Sequence, residues 1–192
     1  MPAINFYILA GGKSRRFGSN KALFKIAGRT VIEIVVAAIP PGHPIFIVTH
    51  SPGEYAHLGL PTLPDNYPNA GPLAGIQAGL SHSPFDWNFF LACDFPCLRA
   101  AVIEEIGAAF FNQDKADGGA QVILPETAEG LQPLCALWSK STLPVVEAAL
   151  NGEQRSVRAV LAELSLHRVL LTEPEALLNL NTPEDLAKLS QQ

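Results

Sequence analysis

Short apolar runs, each ended by glycine, proline or a polar cluster, punctuate the chain from one end to the other. Ile4 to Ala10 is apolar but for Asn5 and stops at Gly11, the pattern of a strand buried on both faces. Thr30 to Ile39 (TVIEIVVAAI) has helical length, a Thr in place to cap it, and Pro40-Pro41-Gly42 to stop it. Ile45 to Val48 predicts a second buried strand and Leu60 to Leu63 a third, followed by a loop dense in Pro, Asn and Gly. Leu73 to Ser81 predicts a short helix that starts behind Gly71-Pro72. Trp87 to Cys93 (WNFFLAC) predicts a central strand that delivers Asp94 at its carboxyl end. Ala100 to Phe111 places apolar residues at Val102, Ile103, Ile106 and Phe110, a helical spacing.

The second half continues the alternation with one irregularity. Ala120 to Leu124 and Leu134 to Trp138 read as strands around a loop, with no helix between them. Ser141 to Leu150 and Ser156 to Leu164 read as helices, His167 to Leu171 as a strand, and Thr182 to Leu189 as a closing helix capped by Thr with Pro at its first position. Alternating strands and helices predict an α/β fold: a three-layer α/β/α, Rossmann-like domain on a mostly parallel mixed sheet, antiparallel where the helix is missing near residue 125. One domain over residues 1–192 is expected. Ligands of such sheets sit beyond the carboxyl ends of the strands, so Gly11, Asp94 and the loop after Leu63 should converge on one crevice.

Composition narrows the class. Of 192 residues 48% are apolar and 16% charged, which fits a folded domain and argues against disorder. No apolar run reaches the roughly 18 residues of a membrane span, and no cleavable leader is apparent. Three cysteines, an odd number, fit a reducing compartment better than a disulfide framework. A cytoplasmic protein with no membrane or nucleic-acid partner is the expectation. The net charge of −5 hides an asymmetry, because six of the thirteen Lys and Arg residues fall between Lys13 and Arg29 and no acid precedes Glu33.

That cationic stretch begins at a glycine turn, "YILAGGKSRRFG", residues 7–18. A Walker phosphate loop would need glycine where Tyr7 stands, and G-x-G-x-x-G is absent. Strand, glycine turn and cations nevertheless form an arrangement suited to anions. Lys21 is able to neutralise a triphosphate as a point charge, and Arg15 and Arg16 to hold phosphates bidentately. Asp94 stands where a sheet hands a rigid carboxylate to its crevice, and one carboxylate with waters and substrate phosphates is a typical Mg²⁺ arrangement. Acids in loops are usually solvated or close an Asx turn, but a carboxylate at Asp65 is also able to accept from both N1–H and N2–H of a guanine, a match cytosine cannot supply. Asn181 either caps the last helix or reaches metal and phosphates. Gln132 takes no firm role. The five histidines show no metal-ligand spacing and read as structural or surface residues. Cys93 and Cys97 read as buried thiols, and no G-x-S-x-G elbow is present.

Together these residues resemble the molybdenum cofactor guanylyltransferases, nucleotidyltransferases that share the sugar-nucleotide pyrophosphorylase fold. "LAGGKSRRFGSNK" is similar to the family's L-A-G-G-x-S-x-R-M-G-x-x-K, "GPLAGI" (from Gly71) to its central glycine loop, and "CDFP" to its metal-binding C-D-x-P. "QPLCALW" and "NLNTPEDL" (from Asn179) are similar to its Q/H-P-x-x-A-L and N-x-N-T-P-E-D-L segments. The resemblance implies that Leu9, Ala10, Gly11, Gly12 and Lys21 contact GTP, that Asp65 falls at the GTP-contacting acid, and that Asp94 binds both Mg²⁺ and nucleotide. It makes Lys21, Asp94 and Arg16 the catalytic candidates, with Arg15, Gly71, Asn179 and Asn181 as further site residues. Phe17 replaces the usual Met, Asn20 stands where Asp commonly precedes the Lys, and Thr49 occupies a place where some members carry a nucleotide-contacting Asn. Relatives that use CTP typically read L-A-A-G and D-x-D-T-P, which favours GTP here.

The implied reaction joins GMP to the terminal phosphate of Mo-molybdopterin with release of pyrophosphate, and implies molybdenum-cofactor delivery or insertion proteins as further partners. Two alternatives stand beside it: CMP or GMP transfer to another phosphorylated acceptor, and a non-catalytic nucleotide-binding chaperone for cofactor delivery.

Overall fold

The structure, a computed structural model, describes residues 3–11, 20–67, 69–112, 119–152 and 155–179. Strands β1 (Asn5–Leu9), β2 (Ile45–Val48), β3 (Thr62–Leu63), β4 (Trp87–Ala92), β5 (Val122–Thr127), β6 (Cys135–Ser139) and β7 (Leu166–Val169) form one sheet in the order β7-β5-β6-β4-β1-β2-β3. A further short strand, Gly130–Leu131, pairs only with β5. β1 is parallel to β2 and to β4, while β6 runs antiparallel to both β4 and β5. The reversal lies where the sequence lacks a helix, because two strands joined by a short loop must run in opposite directions.

Alternation along β1 builds the three layers. Phe6 and Ile8 face one side, packing with Ile32 and Val35 of α1 (Val31–Ala38) and with Val102, Ile103 and Ile106 of α3 (Ala100–Asn112). Tyr7 and Leu9 face the other, packing with Leu73, Ile76 and Leu80 of α2 (Pro72–His82), Val146 and Leu150 of α4 (Leu143–Asn151), and Val160 of α5 (Val157–Leu161). The helix expected from Thr30 starts with a full capping box: Thr30 accepts from the Glu33 backbone N–H, and the Glu33 carboxylate accepts from the Thr30 backbone N–H at 2.6 Å.

Several expectations shift: β3 is two residues, not Leu60 to Leu63, and β7 runs from Leu166 to Val169, not His167 to Leu171. The helix placed at Ser141 begins as a 3-10 turn at Lys140–Thr142 and becomes α-helical at Leu143, because Pro144 has no N–H to give and tolerates only the first turn. The strand placed at 120–124 runs instead from Val122 to Thr127, extended by its pairing with Gly130–Leu131. α5 is shorter than Ser156–Leu164 and stops at Leu161. The closing helix expected over Thr182–Leu189 lies outside the described residues.

Candidate active site

From β1 the chain goes to β2 and β3 on one side of the sheet and only then crosses to β4 on the other. Connections that diverge this way leave a crevice beyond the carboxyl ends of the two strands. The crevice measures about 410 Å³. One wall is Leu9, Ala10 and Gly11 at the end of β1, with Asn20 and Lys21; another is Ala92 to Phe95 at the end of β4. Gln132, Pro133 and Leu134, which lead into antiparallel β6, lie at the same edge, and Pro72 and Asn179 complete the lining. The backbone at Gly71, just before Pro72, has φ of 68°, a conformation that favours glycine.

Asp94 carries the strongest chemical signal. Its Oδ1 is buried and has no hydrogen-bond partner among the described residues, a state that suits a group kept for a ligand. Burial raises its pKa above the ordinary carboxylate value, opposed by the Lys21 ammonium and by a backbone hydrogen bond. A buried carboxylate with an orphaned oxygen beside a lysine fits a divalent metal held jointly with a phosphate-bearing substrate. Among the described residues no three His, Cys, Asp or Glu side chains gather into a cage, so most ligands of such a metal would be phosphate and water oxygens. The neighbouring Cys93 thiol is pushed up to about 12, chiefly by burial and further by the Asp94 charge, and stays protonated.

The raised pKa has a thermodynamic consequence. The folded protein holds the Asp94 proton more tightly than the unfolded chain does, so this group's contribution is favourable at low pH and is lost as pH rises through the raised value. In metal-free buffer at pH 7, Asp94→Asn is therefore expected to melt above the unsubstituted protein. The gap should close as pH falls below the free-carboxylate value of about 4. Thermal melts of both proteins across pH, with chelator present, check this; a variant that melts lower at pH 7 contradicts it.

Asp65 sits behind Gly11. A Cβ placed on Gly11 would lie 3.8 Å from Asp65 Oδ2 and 3.9 Å from the Val48 carbonyl oxygen. The carboxylate is held at both oxygens: the Tyr67 backbone N–H donates to Oδ1 at 3.2 Å, and His50 Nε2 lies 3.0 Å from Oδ2. The backbone contact is the Asx turn that the sequence allowed. With one lone pair taken on each oxygen, each keeps another for a ligand.

Leu9, Ala10, Gly11, Lys21, Asp94 and Asn179 thus line one crevice, with Asp65 against its back and Gly71 at the entry of α2. Gly12, Arg15, Arg16 and Asn181 lie outside the described residues. Three contributors escaped sequence reasoning. His50, grouped there with surface histidines, pairs with Asp65. Gln132, given no role, lines the crevice. Tyr55, only 1% exposed, donates its hydroxyl to the Ala10 carbonyl at 3.3 Å. The glycine at the end of β1 with the cations that follow in sequence, the apolar-to-polar transition after "NFFLAC" and the acid in a Pro-rich loop carried the local signals.

The mixed sheet brings Gly11, Lys21 and Asp94 to one crevice beyond the ends of β1 and β4, an arrangement suited to a phosphate-bearing ligand and a divalent metal. The MobA-like NTP transferase domain profile matches residues 6–169. A protein of Nostoc sp. described as a probable molybdenum cofactor guanylyltransferase is 38% identical over 184 residues, covering 94% of this chain and 87% of its own. The molybdenum cofactor guanylyltransferase of Desulfosudis oleivorans is 35% identical over 197 residues, covering 98% and 95%. Among solved structures, molybdopterin-guanine dinucleotide biosynthesis protein A from Archaeoglobus fulgidus superposes with a TM-score of 0.80 at 23% identity, covering 98% of this chain and 100% of that one, and so shares its fold. The chain belongs to the MobA-like NTP transferase family, among the molybdenum cofactor guanylyltransferases.

Proposed function

We propose that the protein transfers GMP from GTP to the phosphate of Mo-molybdopterin, giving molybdopterin guanine dinucleotide and pyrophosphate. The observation that carries this reading is the Asp94 oxygen left without a partner among the described residues, in a crevice shared with Gly11 at the end of β1 and with Lys21. No covalent enzyme intermediate is needed, because the acceptor phosphate is itself the nucleophile and the protein's work is alignment and charge stabilisation. The β1 turn brings backbone close to the triphosphate, and Lys21 neutralises the charge that accumulates on the departing pyrophosphate. Asp94, with its free oxygen, would hold Mg²⁺; when bound, the ion supplies Lewis-acid stabilisation at the phosphoryl oxygens. Asp65 accepts from the guanine N1–H and N2–H, its orientation fixed by His50 and the Tyr67 N–H. Arg15, Arg16, Gly12 and Asn181 supply further phosphate contacts.

The substrates in this reading are GTP and Mo-molybdopterin, the setting is cytoplasmic, and molybdenum-cofactor delivery or insertion proteins take the product. Among the described residues no helix is long and apolar enough to cross a membrane. Pyrophosphate release measured with GTP, CTP, ATP and UTP, each with and without Mo-molybdopterin, tests it. Release dependent on both GTP and Mo-molybdopterin is expected. A preference for CTP, or release with a different phosphorylated acceptor, overturns it; GTP binding without pyrophosphate favours the chaperone reading.

Asp65 gives a sharper test of base choice. Asp65→Asn replaces one acceptor oxygen by a donor amide and opposes the guanine edge. It should lower kcat/KM for GTP about 10- to 100-fold, the worth of a charge-assisted hydrogen bond, with a smaller loss for the other nucleotides. Equal losses for all four would remove Asp65 from base recognition.

A further inference from the structure

Two segments of one crevice wall, the end of β1 and the Lys21 turn, meet at a single buried hydroxyl. Tyr55 belongs to a 3-10 helix, Pro52–Leu58, and is the one buried residue of that turn. Its hydroxyl donates to the Ala10 carbonyl at 3.3 Å, at the end of β1, and accepts from Asn20 Nδ2 at 2.9 Å. Asn20 is the N-cap of the 3-10 turn Lys21–Leu23, and its Oδ1 accepts from the Ala22 backbone N–H at 3.1 Å. The same Nδ2 group also donates to Glu54 Oε2. One side-chain amide therefore fixes the Lys21 turn with its oxygen and ties that turn, through its nitrogen, to Tyr55 and Glu54.

We propose that Tyr55 and Asn20 form a clasp that sets the spacing between the β1 backbone and the Lys21 turn, making both positioning residues for the triphosphate. The proposal rests on the crevice being the triphosphate site described above, and it goes beyond that reading by assigning part of the affinity to residues that need not touch the nucleotide. Burial raises the Tyr55 pKa to about 12, so the hydroxyl keeps the proton it gives to Ala10. Asn20 also gains a meaning as a departure from the family's common Asp. An Asp there would retain the cap on Ala22, lose both donor hydrogens, and set a second carboxylate against Glu54. The amide suits this chain because Glu54 is its neighbour.

The experiment measures KM and kcat for GTP in pyrophosphate release, with melting temperature alongside, for the wild type, Tyr55→Phe, Asn20→Asp and the double variant. Tyr55→Phe keeps the ring in its pocket and removes only the hydroxyl. Each single variant should raise KM about tenfold, the worth of one well-placed hydrogen bond, with kcat within about threefold. The double variant should be no worse than the weaker single one, because both break the same link. Adding Glu54→Gln to Asn20→Asp should recover part of the lost affinity, a rescue that a general packing defect would not show. Unchanged KM in the single variants, fully additive losses, or no rescue would overturn the clasp. Should Tyr55→Phe fold poorly, the Asn20→Asp and Glu54→Gln pair decides alone. Should the wild type turn over CTP instead of GTP, the base assignment fails while the clasp is judged on KM for CTP, since both nucleotides carry the same triphosphate.

Discussion

Asp94→Ala should reduce guanylate transfer by about 10³-fold or more at saturating GTP and Mg²⁺, equivalent to several kcal/mol of lost transition-state stabilisation. The size follows from the way the crevice is built. Among the described residues Asp94 is the carboxylate lining it, and one of its oxygens finds no partner there. Raising Mg²⁺ should recover little, because phosphates and water cannot replace an anchor fixed to the end of β4. Folding offers no escape from this reading: burial already disfavours the charge, so the variant should be at least as stable as the parent in metal-free buffer. A full rate of Mg²⁺-dependent pyrophosphate release from the variant would remove Asp94 from the chemistry. A stability gain joined to an activity loss is the signature of a charge retained for function.

Gly79→Val should cost about 3 kcal/mol or more, lowering the melting temperature by about 6–12 °C for a chain of this size. On an exposed helix face, replacing glycine by a residue with a side chain recovers a fraction of a kcal/mol of backbone entropy. Position 79 is different. A Cβ there would lie 2.6 Å from Phe90 Cε1 and 2.9 Å from Tyr7 Cγ, both fully buried ring atoms of the sheet. Gly75, one turn earlier, repeats the contact: its Cβ would meet Leu9 Cδ2 at 2.8 Å. The two glycines let α2 lie close on β1 and β4, which brings Pro72 to the rim of the crevice. Val adds branching to an already overfilled site, so the helix must lift or the rings must move. Thermal or denaturant unfolding of the variant gives the answer, and a melting temperature equal to the parent's would mean that the packing relaxes at no cost.

Elements that bury continuous apolar runs were legible from sequence alone. β1 and β4 are buried along nearly their whole length, and Thr30 with Glu33 spells a helix start in four residues. The reversal of β6 was legible by elimination, since no helical pattern separates it from β5. The turn Pro52–Leu58 was not, because a lone buried Tyr55 among exposed neighbours has no period to detect. β3 was placed, at Leu60 to Leu63, but its length was not: it lasts two residues, set by its pairing with β2. Within the site, the residues flanking a strand end could be read locally: Gly11 after β1, Asp94 after β4. Their supports could not. His50 finds Asp65 across 15 positions, and Tyr55 finds Asn20 across 35, so both links exist only once the chain has folded. The residue at 20 illustrates the difference: by sequence a departure from a motif, in the fold it is an amide placed against Glu54.

The most direct test of the central claim is a crystal structure with a non-hydrolysable GTP analogue and Mn²⁺, whose anomalous signal locates the ion. A peak at about 2.1–2.2 Å from an Asp94 oxygen is predicted, with the triphosphate between the β1 turn and Lys21 and the guanine edge on Asp65. A nucleotide bound outside this crevice, or an ion without Asp94 in its coordination, would contradict the account.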